Sequence, residues 1–381
     1  MSDDAVHPYE ISIADEVLDD LTERLVRTRW PDEIDDIGWG QGIPLAYVRD
    51  LCDTWLHDYD WRERERLFNG WPQFRTTVDG IGIHFLHVTS PHREARPMIM
   101  SHGWPGSFAD FQKVIDRLVD PTLDGGDPGD AFHLVIPSLP GYGFSDRPRE
   151  TGWGKDRIAR AWATLMDRLG YPRYLAQGGD WGTIVTTRLA QVDPDHCAGI
   201  HLLAPLVLPD PATMDDLTEA EQSGIAGMKN YEDHESGYSK QQATRPQTLA
   251  YGLTDSPVGQ LAWNIEKFWA WTDCDGHPET VFTRTELLDN ATIYWVTATG
   301  GSSGRLYWES FDEIFTTEPV TVPMGATIFP KEVFRVSRRW AEQYFENIVH
   351  WTTQPSGGHF AAAEQPDAFV DDVRTWAGIV W

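Results

Sequence analysis

Residues 177–185, QGGDWGTIV, have the outline of a nucleophile elbow, the sharp turn that joins a strand to a helix. Gly178 and Gly182 flank the centre with the spacing of a G-x-S-x-G elbow, but the central residue is Asp180. An aspartate is already an anion, and its attack on the sp³ carbon of an epoxide or an alkyl halide yields an ester. From this segment alone, the alternative is a glycine-rich turn with a solvated carboxylate.

A histidine and an acid late in the chain can complete such a site. His359 lies in the loop SGGHFAAAEQP and would deprotonate the water that cleaves the ester, unless it is only a surface residue. Glu332 follows the preceding predicted strand in VPMGATIFPKE and would orient the imidazole. The order nucleophile, acid, histidine is that of the α/β-hydrolases. Glu318 and Glu364 are weaker rivals, since one precedes that strand and the other lies on the next helix.

The segment SHGWPGS, residues 101–107, follows another predicted strand. In α/β-hydrolases, this loop and the residue after the nucleophile supply the N–H groups of the oxyanion hole. We therefore predict the backbone N–H groups of Trp104 and Trp181 as donors. The Trp104–Pro105 bond is a candidate cis peptide, and His102 is expected to be a buried histidine that supports the loop.

A sheet must position these segments. Short apolar runs alternate with helical patterns such as 45–57 and 182–192, which is typical of a parallel sheet covered on both faces. An Asp79–Gly80 turn predicts a hairpin before them. The alternation stops near 208, where a long helical stretch begins. We predict an N-terminal segment (1–73), an α/β-hydrolase catalytic domain (74–208 and 317–381) and an inserted helical lid (209–316).

The N-terminal segment begins with a helical pattern over 10–30, in which Ser12 and Asp15 resemble a capping box. Residues 60–75, which begin with DWRERERLFNGWPQF, mix charges with large aromatic residues. This stretch predicts a short helix and a turn that wrap over the rest of the protein.

Composition narrows the classes of partner and compartment. A net charge of −28 disfavours nucleic acid and anionic membranes as partners. The acidic N-terminus lacks an apolar run, and no 18 consecutive residues are apolar, so we expect neither a signal peptide nor a membrane anchor. Cys52, Cys197 and Cys274 are odd in number and form no C-x-x-C motif, which favours a cytoplasmic location without disulfides or a zinc site.

The chain resembles the microsomal-type epoxide hydrolases, in their soluble bacterial branch, over nearly its whole length. The resemblance is carried by an ordered set of motifs: DWRERERLFNGWPQF, IHFLHV, HGWPGS, PSLPGYGFS, GGDWG, FPKE and GGHFAAAEQP. It implies Asp180 as nucleophile, His359 as base and Glu332 as orienting acid. It also implies that two lid tyrosines, Tyr238 in ESGYSKQQ and Tyr307 in SSGRLYWE, hydrogen-bond and protonate the epoxide oxygen. We expect no counterpart of the N-terminal anchor that the membrane-bound relatives carry.

The resemblance therefore implies an enzyme that converts an epoxide and water to a vicinal diol, with no metal or organic cofactor. Trp104 and Trp181 are predicted to contact substrate beside the two tyrosines, and Trp263, Trp269 and Trp271 suggest a bulky or aromatic epoxide. Some bacterial relatives act in enediyne biosynthesis, so a role in antibiotic biosynthesis is one hypothesis, as is a homodimer. The alternatives are a haloalkane dehalogenase and a catalytically silent small-molecule binding protein. A serine esterase is disfavoured because no G-x-S-x-G is present.

Overall fold

Within residues 4–381, which the computed structural model describes, one sheet of nine strands has the order β1-β2-β3-β5-β4-β6-β7-β8-β9. The strands are β1 His7–Tyr9, β2 Gln73–Val78, β3 Ile81–Val88, β4 Arg96–Ser101, β5 Phe132–Pro137, β6 Tyr174–Gly178, β7 Cys197–Leu202, β8 Met324–Ile328 and β9 Ile348–Thr353. The β1–β2, β2–β3 and β3–β5 pairs are antiparallel, and the pairs from β5 through β4 to β9 are parallel. The predicted α/β-hydrolase fold and the Asp79–Gly80 hairpin are confirmed.

The helices lie between and around these strands. In chain order they are α1 Asp15–Val26, α2 Leu45–His57, α3 Trp61–Phe68, α4 Ile115–Val119, α5 Lys155–Arg168, α6 Trp181–Val192, α7 Glu219–Asn230, α8 Gly237–Thr244, α9 Pro246–Asp255, α10 Pro257–Ala270, α11 Arg284–Val296, α12 Arg305–Ser310, α13 Arg338–Ala341, α14 Ala361–Glu364 and α15 Pro366–Val380. A π-helical turn, Tyr231–Glu235, joins α7 to α8. Helices α7 to α12 thus form one insertion between β7 and β8.

Apolar side chains cover both faces of the sheet. Successive residues of β4 point to opposite faces, because side chains alternate along a strand. Ile99 belongs to a buried cluster with Trp162 of α5, whereas Met98 belongs to a second cluster with Phe369 and Trp376 of α15. Burial on both faces explains why the central strands read as continuous apolar runs.

Parallel pairing brings the ends of the central strands to one edge of the sheet. Ser101, the last residue of β4, is paired with Gly178, the last residue of β6. The loops that follow these two strands begin next to each other. This register is what allows the HGWPGS loop and the Asp180 turn to meet.

The N-terminal helices pack on the inserted helices. Trp55 of α2 donates from Nε1 to the Thr292 hydroxyl of α11 at 2.9 Å. Arg64 of α3 forms an ion pair of 2.7 Å with Asp289 of α11, whose side chain is fully buried. Burial raises the pKa of Asp289 to about 6, against the opposing effect of Arg64. These polar contacts tie the N-terminal segment to the insertion.

Helix α2 has the predicted bounds, but α1 is shorter than the predicted 10–30. Its first helical residue is Asp15, and its N-cap is Ala14, which makes no side-chain capping bond. The predicted capping box of Ser12 and Asp15 is wrong. The preceding residues are extended because the backbone N–H groups of Ile11 and Ile13 bond to side chains of the α3 region. Of the helices described over residues 4–381, none is long and apolar enough to cross a bilayer.

Candidate active site

Asp180 occupies the turn between β6 and α6. Its backbone has φ 54° and ψ −127°, a sparsely populated conformation for a residue with a side chain. The turn is tight enough to require its flanking glycines: a Cβ on Gly178 would lie 2.1 Å from the Gly182 carbonyl oxygen, and one on Gly182 would lie 1.9 Å from that of Ser101. The sequence G-x-D-x-G therefore folds as an elbow that lifts the carboxylate above the edge of the sheet.

The HGWPGS loop approaches the Asp180 carboxylate closely. The Trp104 backbone N–H donates to Asp180 Oδ1 at 2.7 Å, and the Trp104–Pro105 peptide bond is cis. A Cβ on Gly103 would lie only 2.1 Å from the same oxygen, so the loop needs glycine there. Trp181 is the first residue of α6, and among the described residues its N–H forms no hydrogen bond to the carboxylate.

His102 holds this loop from below. It is buried, its Nδ1 lies 3.0 Å from the Gly103 carbonyl oxygen, and its Nε2 accepts from the Leu139 N–H at 3.2 Å. Burial lowers the pKa of His102 to about 4. It is a neutral supporting histidine, as the sequence predicts.

His359 lies between two carboxylates. Its Nδ1 is 2.8 Å from Glu332 Oε1, and its Nε2 is 3.4 Å from Asp180 Oδ2. Burial lowers the pKa of His359, but the Glu332 and Asp180 charges outweigh this effect and hold that pKa well above its ordinary value. The backbone N–H of His359 donates to the Trp271 carbonyl oxygen at 2.9 Å, which fixes the loop against the inserted helices.

The two rival acids lie elsewhere. Glu318 is exposed and pairs with Arg188 at 2.7 Å. The Glu364 carboxylate accepts from the backbone N–H groups of Asp273 and Phe360, and burial raises its pKa to about 7. Of the three candidates, Glu332 is the one that bonds to His359.

Tyr238 of α8 and Tyr307 of α12 line one cavity of about 50 Å³ with Asp180, Trp181 and His359. Their ring centroids are 5.7 Å apart. Burial raises the pKa of both phenols well above the ordinary value, so both are neutral hydrogen-bond donors near pH 7.

Tryptophans pack around these two tyrosines. Tyr238 stacks on Trp104 with centroids 4.8 Å apart, and Tyr307 meets Trp181 edge-on at the same separation. The ring centroid of Trp271 lies 5.3 Å from that of Tyr238 and 4.9 Å from that of His359.

The other two tryptophans of the insertion differ in position. Trp263 lies edge-on to Trp104, with centroids 6.4 Å apart. Trp269 instead stacks on Trp39 of the N-terminal segment at 4.5 Å, so its sequence-based link to the substrate is not supported.

Two residues of the site were not found from the sequence. Tyr231 lines the cavity of Tyr238 and Tyr307. Asp110 lines a second cavity of about 40 Å³, which it shares with Gly103, Asp180 and His359. Burial raises the pKa of Asp110 to about 7, against the opposing effects of its bond to the Ser107 backbone and of His359. Asp180 and His359 thus line both cavities, the one that contains the two tyrosines and the one that contains Asp110.

An acidic elbow at the carboxyl edge of a parallel sheet, followed by an acid and a histidine, defines an α/β-hydrolase. The family description "alpha/beta hydrolase fold" matches residues 96–260, and "Epoxide hydrolase N terminus" matches residues 6–111. The chain is 48% identical over 369 residues to a Stigmatella aurantiaca protein described as "Putative epoxide hydrolase", covering 97% of this chain and 84% of that protein. It is 34% identical to epoxide hydrolase 1 of Oryctolagus cuniculus, covering 100% and 90%.

Solved structures of epoxide hydrolases are also similar to this chain. The Aspergillus niger epoxide hydrolase has a TM-score of 0.88 and 32% identity, covering 100% of this chain and 98% of that one. The juvenile hormone epoxide hydrolase of Bombyx mori has a TM-score of 0.91 and 31% identity, covering 100% and 95%. The chain belongs to the epoxide hydrolase family. It is a hydrolase whose substrates are a small-molecule epoxide and water.

Proposed function

We propose that this enzyme opens its epoxide by forming a covalent ester on Asp180, and that water activated by His359 and Glu332 then hydrolyses the ester. One observation carries the proposal: Asp180 shares a cavity with Tyr238 and Tyr307, and its carboxylate lies 3.4 Å from His359 Nε2. A nucleophile, two proton donors and a base are therefore in contact with the same small space.

In the first step, Asp180 Oδ2 attacks a ring carbon. Oδ1 is engaged by the Trp104 N–H, which leaves Oδ2 as the oxygen free to form the new bond. Tyr238 and Tyr307 donate hydrogen bonds to the epoxide oxygen, because the alkoxide that leaves the carbon is strongly basic and needs an acid. The product of this step is a hydroxyalkyl ester.

Ester formation removes the charge of Asp180, one of the two carboxylates that raise the pKa of His359. That pKa therefore falls at this stage, and the imidazolium of the resting enzyme releases its proton to solvent. The neutral imidazole can then accept a proton from water, and His359 is protonated again from solvent when Asp180 recovers its charge. Glu332 remains bonded to Nδ1 and stabilises the imidazolium that forms. Negative charge then develops on Oδ1, where the Trp104 N–H donates and where we propose the Trp181 N–H as second donor.

The second cavity offers the water a position. Its volume of about 40 Å³ exceeds the roughly 10–15 Å³ that a cavity needs to hold one water. Asp110, His359 and Asp180 all line it, so a water there could bond to Asp110 and His359 while it faces the ester carbon. We propose that Asp110 holds the hydrolytic water.

We propose a bulky or aromatic epoxide as substrate. Aromatic rings of Trp104, Trp181, Tyr238 and Tyr307 surround the site and favour such a group. The cavity of about 50 Å³ is far smaller than the ~300–1,000 Å³ of ordinary ligand pockets. We therefore propose that α7 to α12 act as a lid that moves to admit substrate.

Composition supports a proposal on the location and partners of the protein. Cys52, Cys197 and Cys274 are all free and buried, which supports a reducing cytoplasmic location. The net charge of −28 supports the absence of nucleic-acid partners. The homodimer and the role in antibiotic biosynthesis stay predictions.

The ester is tested with His359→Gln, which removes the base but keeps a polar side chain. We expect this variant to accumulate a protein adduct with styrene oxide, located by peptide mass spectrometry at Asp180. Asp180→Asn should form no adduct and no diol, and Glu318→Gln, which alters the exposed rival acid, should turn over normally. Diol and halide release from matched epoxides and alkyl halides separate this function from dehalogenation. Failure of His359→Gln to form an adduct with any epoxide that the native enzyme hydrolyses would contradict the mechanism.

A further inference from the structure

A third tyrosine stands behind Tyr238. The hydroxyl oxygens of Tyr231 and Tyr238 are 3.2 Å apart, and the Tyr231 hydroxyl oxygen lies 2.9 Å from that of Ser239. Tyr231 is the donor in both contacts, so its one proton can be directed to either oxygen. Tyr231 is buried and lines the cavity that holds Asp180, Tyr238 and Tyr307. Its phenol therefore borders the same cavity, one hydrogen bond away from a proposed proton donor.

The backbone departs from a regular helix between these two tyrosines. Tyr231 and Tyr238 are seven residues apart, and a straight α-helix would separate them by about 10.5 Å along its axis. Instead, residues Tyr231–Glu235 form a π-helical turn, in which the Ser236 N–H donates to the Tyr231 carbonyl oxygen at 2.8 Å. Such turns are rare and occur frequently at functional sites. Here the turn allows two hydroxyl groups from successive helices to meet.

The neighbours of Tyr307 are of a different kind. Its ring packs on Trp181, Trp104 and Phe311, and among the described residues no second phenol bonds to its hydroxyl. The Lys267 ammonium, in contrast, lies 4.7 Å from the ring centroid of Tyr238. A cation above an aromatic face stabilises electron-rich rings, and a phenolate is more electron-rich than a phenol. The surroundings of Tyr238 thus differ from those of Tyr307 by a second phenol and a nearby cation.

We propose that Tyr231 is a positioning residue that acts through Tyr238, replacing the proton that Tyr238 gives to the epoxide oxygen. This role rests on the proposed function, and it means that the two proton donors, Tyr238 and Tyr307, act differently. Tyr238 transfers its proton to the opening ring, and Tyr307 holds the oxygen by a hydrogen bond.

The protons balance over one turnover. As the bond from Asp180 Oδ2 to carbon forms and the ring C–O bond breaks, the epoxide oxygen takes the Tyr238 proton, and Tyr238 takes the Tyr231 proton. Water then adds its hydroxyl to the ester carbon and its proton to His359, which passes that proton to the second alcohol of the diol. Asp180 is left as a carboxylic acid. Its proton returns to the tyrosine pair as the carboxylate is restored.

The test uses Tyr231→Phe, which keeps the ring against Phe334 and removes only the hydroxyl. Ester formation from styrene oxide is timed by rapid quench and mass spectrometry in the His359→Gln background, where the ester cannot turn over. Tyr231→Phe is compared with Tyr238→Phe, Tyr307→Phe and the two double variants that contain Tyr231→Phe. Tyr174→Phe is the control, because it removes a buried hydroxyl bonded to Asp193 away from the site.

We expect Tyr231→Phe to slow ester formation by about tenfold, a part of the 10²–10⁴-fold usual for general acid catalysis. The styrene oxide concentration that gives half the maximal rate of ester formation should change little. It should have no further effect in the Tyr238→Phe background but its full effect in the Tyr307→Phe background, because it acts through Tyr238 alone. Tyr174→Phe should leave the rate unchanged.

An unchanged rate in Tyr231→Phe, or equal slowing in both tyrosine backgrounds, would overturn this inference while leaving the ester mechanism intact. The second pattern is what a merely structural role produces. If the His359→Gln protein itself forms no ester, the proposed function fails, and the inference fails with it. The two failures are therefore distinguishable in one set of measurements.

Discussion

Asp180 Oδ1 accepts a hydrogen bond of 2.7 Å from the backbone N–H of Trp104. The other carboxylate oxygen, Oδ2, faces His359 at 3.4 Å. The loop thus distinguishes two oxygens that are chemically equivalent in a free carboxylate. One is held where negative charge develops in ester hydrolysis, and the other is free to attack.

This contact predicts that Gly103→Ala inactivates the enzyme without unfolding it. The new Cβ would lie 2.1 Å from Asp180 Oδ1, so the carboxylate or the loop must shift. Because displacements of about 1 Å at a reacting group can cost 10²-fold, we expect a loss of roughly that size in kcat/KM. Gly378→Ala in α15, where nothing lies within 4 Å of the new Cβ, is the matched control and should keep full activity. Equal activity of the two variants would argue against a tight contact.

Asp110→Asn should slow ester hydrolysis more than ester formation. The neutral amide is a weaker hydrogen-bond acceptor than a carboxylate, so the water is held less tightly. We expect the rate of ester hydrolysis to fall by about tenfold, so that the ester accumulates during steady-state turnover. Rapid quench measures both rates, and Asp116→Asn on α4 is the control. If Asp110→Asn slows ester formation as much as ester hydrolysis, or more, the carboxylate does not hold the hydrolytic water.

The His359–Glu332 pair should make stability depend on pH. The pKa of folded His359 is raised, so its protonated form stabilises the fold fully below the unfolded value of about 6.5. That contribution is lost as the pH rises through the higher folded value. Glu332→Gln removes one of the carboxylates responsible, so its deficit in unfolding free energy should be largest below pH ~6.5 and shrink at alkaline pH. Urea titrations across this range measure it, and a deficit that grows with pH would contradict the assignment.

Arg64→Met should destabilise the packing of α3 on α11. It leaves the fully buried Asp289 without its cation, for which we expect a loss of about 3 kcal/mol in the free energy of unfolding. The double variant Arg64→Met, Asp289→Leu should recover most of this loss, since no unpaired charge remains. Arg66→Met, an exposed arginine on the same helix, should change stability by less than about 0.5 kcal/mol. A double variant no more stable than Arg64→Met would show that the buried charge is not the cause.

The chain order of Asp180, Glu332 and His359 could be read from the sequence because each follows a recognisable strand. Parallel strands end at one edge of the sheet, so residues just after them meet in space. The structure brings the three together as this reasoning predicts. Tyr238 and Tyr307 lie on inserted helices, whose orientation no local pattern determines, and only the family resemblance singled them out.

Asp110 and Tyr231 were missed for physical reasons. Asp110 sits in GSFADF, where one acid among apolar residues reads as the polar side of a helix. The signal available was Gly106, whose missing side chain leaves the space that Asp110 fills: a Cβ there would lie 1.9 Å from its carboxylate. Tyr231 contacts Tyr238 because a π-helical turn replaces regular helix between them. No sequence pattern that we identified predicts that turn.

The ester on Asp180 is tested most directly by a single turnover of the native enzyme in water enriched with heavy oxygen. With enzyme in excess over styrene oxide, the oxygen added to the diol should come from the Asp180 carboxylate, so the first diol should carry no heavy oxygen. Mass spectrometry of the Asp180 peptide should instead find the heavy oxygen in the protein. A first diol that carries the heavy oxygen, with an unlabelled Asp180, would mean that water attacks the epoxide directly and would contradict the account.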